Sequence, residues 1–146
     1  MMDNLVHGHG LDVGLVFLIG SVGDNEYYQS CLKRIDELGL GDNFLFVTGS
    51  DVNGFEVWER TDLFVRATRT DMEGISVKES LQYGTPVVAS DVCTRPVEAI
   101  LYKDGDVDDL SRKCYDVLTS GMRCAHYHPE TDVPERIMSI YKSLSE

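Results

Sequence analysis

Apolar residues recur along this chain with two periods that alternate. Leu15, Val16, Phe17, Leu18 and Ile19 are consecutive, as expected of a parallel strand covered on both faces. Next, Tyr28, Cys31, Leu32, Ile35 and Leu38 fall at helical spacing, with Asp24 placed to cap that helix and Gly39 and Gly41 to end it. The alternation then repeats. Residues 44–47, 63–65, 86–89 and 99–102 read as further strands, residues 54–60 as a short helix carrying Phe55 and Trp58, and residues 75–83 as a longer helix. Two amphipathic helices follow. Over 106–119 Val107, Leu110, Cys114, Val117 and Leu118 share one face, and over 132–144 Val133, Ile137, Ile140, Tyr141 and Leu144 do. No internal repeat or low-complexity linker interrupts the pattern.

Strand–helix units with short connections predict an α/β, Rossmann-like, three-layer fold: a parallel sheet, right-handed crossovers and helices on both faces. In such sheets the ligand crevice lies beyond the carboxyl ends of the strands. The loops after Ile19, Val47, Val65 and Ala89 are therefore the ones to search for chemistry.

The richest stretch falls in the third of these, Asp71 to Glu79 (DMEGISVKE), just before Gly84 to Ser90 (GTPVVAS). Gly74 lets backbone approach a ligand closely, and the first turn of the helix after it presents unpaired N–H groups that favour an anion such as a diphosphate. The flanking acids, Asp71 and Glu79, suit hydroxyls, as carboxylates that read ribose and sugar rings do. A plainer pattern overlaps: Ser76 and Glu79 fit a capping box, which would make Glu79 structural. A helix that begins at Gly74 or Ile75 would instead carry Glu79 past the first turn, toward the crevice. Glu73 is a rival acid with the wrong spacing to Glu79.

An acid-x7-acid motif followed by G-x-P-V-V-x-S resembles the C-terminal domain of the retaining glycosyltransferases of family 4, GT-B enzymes with two Rossmann-like domains; here it is Asp71, Glu79, Gly84, Pro86, Val87, Val88 and Ser90. The flanks are similar as well. Leu15 to Gly20 looks like that family's first βα turn, residues 43–49 like its V-x-F-x-G strand and residues 61–65 like its A-D-L-F-V strand. The likeness runs from about Leu11 to about Leu118. The loop from Arg66 to Asp71 resembles a subgroup with R-P-T-x-T-D-G, and Asp91 to Pro96 its S-D-x-x-x-R-P loop.

The resemblance implies roles. Glu79 would hold the donor ribose and Asp71 would lie near the transferred sugar, both counted as catalytic; Gly74, Ile75 and Ser76 would offer amides to the diphosphate. Gly20, Thr48 and Gly49 would line the nucleotide at strand ends. Arg66 and Arg95 would supply positive charge, since a guanidinium suits phosphate; Arg69 reaches the same end. No metal is expected, and the donor, a UDP- or GDP-sugar, is a substrate rather than a cofactor. The acceptor, a glycan or lipid-linked hydroxyl, would be bound by an N-terminal domain that this chain lacks. The family's upstream G-R-x-x-x-K-G loop also has no match before Leu11. Residues 1–10 resemble only the tail of the helix before Leu15, so residues 1–146 read as one nucleotide-sugar-binding domain truncated at its N-terminal edge, inactive by itself. The alternatives are a non-catalytic nucleotide-binding relative or a flavodoxin- or receiver-like signalling module. The receiver reading needs an acidic cluster after the first strand, where Gly20 to Gly23 stands instead.

Composition narrows the partners. The chain has 146 residues, 42% of them hydrophobic, enough for one ordinary core. Its formal charge of -12 would repel nucleic acid and anionic lipid. No apolar run is long enough to span a bilayer and the N-terminus does not resemble a signal peptide, so a cytoplasmic location is expected, at the inner membrane face for a full-length enzyme. Cys31, Cys93, Cys114 and Cys124 lack ligand spacing and read as reduced thiols. The pairs His7 with His9 and His126 with His128 lie in flanks expected to be flexible and away from the strand ends. Trp58 reads as a core residue.

Overall fold

The computed structural model describes residues 1–19, 22–48, 54–123 and 133–144. Strands and helices alternate as far as the fourth strand, which a fifth follows directly before two helices: β1 (Leu15–Ile19), α1 (Asn25–Glu37), β2 (Phe44–Thr48), α2 (Gly54–Trp58), β3 (Phe64–Arg66), α3 (Ile75–Gln82), β4 (Val87–Ser90), β5 (Ile100–Tyr102), α4 (Val107–Ser120) and α5 (Val133–Ser143). A wide helical turn, Asn4–Gly8, precedes them. The expected elements are all present, with ends shifted by one or two residues. Side-chain caps explain two of the helix starts. Asp24 accepts the Tyr27 N–H at 2.9 Å and Asp106 accepts the Asp109 N–H at 2.9 Å.

All strand pairs are parallel, but the ladder is in two pieces, β1 with β2 and β3-β4-β5. In register, Phe17 faces Phe46, Val65 faces Val88 and Ala89 faces Leu101.

This split corrects one expectation. β1 is not covered on both faces: Val16, Phe17 and Leu18 are 45%, 42% and 43% exposed. β4, hydrogen-bonded on both sides, is the strand that is fully buried.

Alternation along β4 divides the core into two layers. Val88 packs with Met2, Leu5, Leu40, Tyr102, Leu110, Cys114 and Val117, so the N-terminal turn and α4 cover one face. Val87 and Ala89 pack with Val77 and Leu81 of α3 on the other. Trp58 belongs to that second side, edge-on to Phe64 with ring centroids 6.2 Å apart, and its carbonyl accepts the Thr85 hydroxyl at 2.8 Å. Its reading as a core residue holds. α3 is thereby fixed on the sheet by Val77, Ser80 and Leu81, with its N-terminus at the carboxyl end of β3. The apolar stripe of α5 is exposed at Ile137, Met138, Ile140, Tyr141 and Leu144.

Candidate functional site

Gly74 governs the geometry at the start of α3. It is the N-cap, with φ 63° and ψ 65°, a left-handed conformation that glycine adopts without strain. A methyl group on it would stand 2.2 Å from Nη1 of Arg95 and 3.2 Å from Oδ2 of Asp71. The missing side chain is thus more than a turn requirement, because it makes room for a guanidinium under the helix start.

No side chain caps α3, so the Ser76–Glu79 capping box does not form. Ser76 is instead the second helical residue and Glu79 the fifth. Glu79 is half-buried, and its carboxylate has no hydrogen-bond or ion-pair partner among the described residues. The Val77 N–H turns back to the Gly74 carbonyl at 2.8 Å. The Ile75 and Ser76 N–H groups have no such acceptor among the described residues, as the end of a helix leaves them.

Asp71 is the hub of the site. Its Oδ2 accepts from Arg66 Nε at 3.1 Å, Arg95 Nη1 at 2.9 Å and Thr68 Oγ1 at 3.3 Å, while Oδ1 accepts the Met72 N–H at 3.0 Å. The Arg66 guanidinium, and then that of Arg95, hold its carboxyl well below the usual carboxylate range. The two arginines differ in access. Arg66 is 35% exposed, whereas the Arg95 side chain is 0% exposed and also bonds the Ser90 carbonyl at 3.3 Å. Nη2 of Arg95 is buried without a hydrogen-bond partner among the described residues. Two guanidinium groups around one carboxylate leave the cluster with a net positive charge.

The structure therefore gathers Arg66, Asp71, Gly74, Ile75, Ser76 and Arg95 at the carboxyl ends of β3 and β4. Glu79 lies one helical turn in, Arg69 is exposed on the same loop, and Glu73 points to solvent and pairs with Lys78 at 3.2 Å. Thr48 is exposed at the end of the separate β1–β2 ladder, with no hydrogen bond to the cluster among the described residues. Gly20 and Gly49 lie outside the described residues. Thr68 has a part that the sequence motifs do not carry: its hydroxyl reaches Asp71 and its carbonyl accepts the Ser90 hydroxyl at 2.6 Å. The signal was its position three residues before an acid in a turn.

Among the described residues no group of three or more His, Cys, Asp or Glu side chains is placed to hold a metal. His7 and Asp3 are 2.9 Å apart, and the His9 ring lies tilted against Tyr115 with centroids 4.3 Å apart. That pair sits on a packed helical turn rather than a flexible flank, because the turn buries Leu5 in the core. His126, His128 and Cys124 lie outside the described residues. Cys31, Cys93 and Cys114 are free thiols. Cys114 packs in the core as its helical face implied, and burial pushes its thiol up to about 12; Cys31 is only half-buried, since α1 has no buried residue. No helix among the described residues is long and apolar enough to cross a membrane.

Parallel ladders flanked by helices, with a glycine-capped helix end and arginines at the strand termini, place the chain among the doubly wound α/β proteins whose crevice can receive an anion. Residues 13–129 match the family described as glycosyl transferases group 1, and the chain belongs to that family. Among curated proteins, the lipopolysaccharide core biosynthesis mannosyltransferase LpsB of Rhizobium meliloti (strain 1021) is 35% identical over 82 residues, 56% of this chain and 23% of that protein. Anabaena Alr3699/HepE, solved in complex with UDP-glucose, superposes with a TM-score of 0.65 at 19% identity over 75% of this chain and 32% of that one. Sucrose-phosphate synthase (tll1590) from Thermosynechococcus elongatus gives 0.64 at 21% identity over 82% of this chain and 33% of that one. The shared architecture is that of GT-B glycosyltransferases. The chain spans about a quarter of the curated relative's length and a third of each of these two structures.

Proposed function

We propose that this chain is the donor-binding, C-terminal half of a retaining, family 4 glycosyltransferase that moves a sugar from a UDP- or GDP-sugar to a hydroxyl of a glycan or lipid-linked acceptor. The observation that carries the reading is the start of α3. Two N–H groups and, one turn further on, the Glu79 carboxylate, all without a partner among the described residues, lie there with the helix dipole and the exposed edge of Arg66. That is a layout for a ligand that is anionic at one end and rich in hydroxyls at the other.

In this account the diphosphate takes the Ile75 and Ser76 amides, the Ser76 hydroxyl and Arg66. Glu79 accepts hydrogen bonds from the ribose hydroxyls, and Asp71 faces the sugar. As the sugar departs, negative charge grows on the leaving diphosphate. The helix end and Arg66 are already oriented toward that charge and need no reorganisation as it forms, which is the electrostatic contribution that most favours transfer. The same groups do the neutralising work a metal would otherwise do. Largely exposed apolar side chains close in sequence to the cluster, Met72, Ile75 and Val97, suit coverage by an acceptor-carrying surface. LpsB, named a mannosyltransferase, and HepE, solved with UDP-glucose, support the substrate class.

Calorimetric titration with UDP and with GDP tests the reading, using the wild-type chain beside Glu79→Ala. One nucleotide should bind, and Glu79→Ala should weaken it by roughly tenfold or more, as removal of a charged acceptor does. Binding of neither nucleotide by the folded chain, or unchanged binding by Glu79→Ala, would sink the proposal.

A further inference from the structure

The two arginines at Asp71 are not equivalent, and the difference assigns them separate tasks. Arg66 keeps part of its guanidinium in solvent, but the Arg95 side chain is 0% exposed beneath Gly74. A phosphate arriving at the α3 N-terminus would meet Arg66 and the helix amides. It would not meet Arg95, which lies behind Gly74 and Asp71.

Arg95 is also an expensive residue to keep for stability alone. A buried ion pair contributes little net stability compared with apolar packing of the same volume, and this one retains a buried Nη2 with no partner among the described residues, a kind of defect that calls for an explanation at each place it occurs. Its bonded atoms show what the burial achieves. Nε is fixed on the Ser90 carbonyl at 3.3 Å and Nη1 on Asp71 Oδ2 at 2.9 Å, so the guanidinium bridges the end of β4 to the loop before α3. Thr68 repeats the bridge from the other side, with its hydroxyl on Asp71 and its carbonyl on the Ser90 hydroxyl. Asp71 Oδ2 is thereby saturated. Oδ1, with only the Met72 N–H on it among the described residues, keeps acceptor capacity in a carboxylate whose orientation is fixed.

We infer that Arg95 is a positioning residue, assisted by Thr68, which sets the Asp71 carboxylate so that Oδ1 accepts a hydroxyl of the donor's sugar. Arg95 itself does not bind the diphosphate. This rests on the nucleotide-sugar reading above and deepens it: sugar discrimination depends on the Arg95–Asp71 pair, and nucleotide affinity on Arg66, Glu79 and the α3 amides.

The test compares the affinity for a nucleotide-sugar with that for its bare nucleotide, using UDP-glucose against UDP and GDP-mannose against GDP. The wild-type chain should bind one sugar form more tightly than its nucleotide. Arg95→Lys keeps the charge but cannot hold both acceptors in one plane. It should leave nucleotide affinity unchanged and reduce the sugar-dependent gain by roughly tenfold, or abolish a smaller gain, as loss of a charge-assisted hydrogen bond implies. Asp71→Asn should lose the same gain, and adding Arg95→Lys to it should cost nothing more. Thr68→Val, a milder change that leaves the Arg95 bridge intact, should show a smaller loss of the same kind and covers the case in which Arg95→Lys fails to fold. A fall in bare-nucleotide affinity in folded Arg95→Lys would make Arg95 a phosphate ligand and overturn the assignment. So would a wild-type chain that gains nothing from the sugar. Absence of any nucleotide binding would overturn the underlying reading as well, and is told apart by the bare-nucleotide titration.

Discussion

Replacing Gly74 with alanine tests the central packing claim, because it adds one methyl group and two separable costs. The first is conformational. Gly74 has φ 63°, and a side chain in the left-handed region costs about 1–2 kcal/mol. The second is steric. The new Cβ would stand 2.2 Å from Arg95 Nη1, and that nitrogen cannot swing into solvent because its side chain is 0% exposed and bonded to Asp71. Forcing a methyl group into a packed site adds about 1–3 kcal/mol. Gly39 supplies the control: its φ is 64° and a Cβ there meets nothing within 4 Å. Urea titrations followed by circular dichroism should give a loss of about 1–2 kcal/mol for Gly39→Ala. For Gly74→Ala the two costs together predict about 2–5 kcal/mol. In thermal melts the control should fall by roughly 2–8 °C and Gly74→Ala by about twice as much. Equal losses in the two variants would refute the claim that Gly74 exists to seat Arg95.

Three further outcomes follow from the same structure. Asp71 has a folded pKa below its unfolded value, so the stability it brings is fully present above about pH 4 and is lost as the pH falls toward the folded value; urea midpoints of wild type and Asp71→Asn should therefore differ by a constant amount at pH 5–7 and converge below about pH 4, and a gap that stays constant to pH 3 would contradict the ion pairing. Cys114, buried and with its thiol pushed up to about 12, should resist iodoacetamide at about pH 8 until the chain unfolds while the half-buried Cys31 and Cys93 react, as peptide mass spectrometry would show; native-state labelling of Cys114 would mean that its core layer is open. Amide exchange should be at least tenfold slower in β4, paired on both sides, than in β1, which among the described residues is paired only with β2 and is exposed along its middle; equal protection would mean that the other edge of β1 is covered.

The alternation of apolar periods was enough to place β1 to β5 and α1 to α5, though not the N-terminal turn at Asn4–Gly8, because these elements carry local signals: consecutive apolar residues in β1 and β4, helical spacing in α1 and α4, and a capping aspartate at 24. Layering was less legible. β1 and β4 look alike in sequence, yet only β4 is buried on both faces, since burial depends on which strands lie alongside and no local pattern records that. At the site, the acid–glycine–acid spacing pointed to the loop after β3 and the start of α3, where the structure brings Arg66, Asp71 and Arg95 together. The ion pairs did not show. Arg66, Asp71 and Arg95 are brought together by the β3–β4 register, and the distinction between an exposed and a buried arginine is a property of packing. Likewise, Ser76 and Glu79 fit a capping box until the backbone of Gly74 is known to begin the helix two residues earlier.

The most direct test of the donor-site account is amide chemical-shift mapping of the isotope-labelled chain with UDP and with GDP. The account predicts that shifts produced by one nucleotide concentrate at residues 66–79, strongest at Gly74, Ile75 and Ser76. Shifts confined to the groove of about 410 Å³ lined by Leu11, Val13, Asp62, Val117 and Leu118, or the absence of any shift at the start of α3, would contradict it.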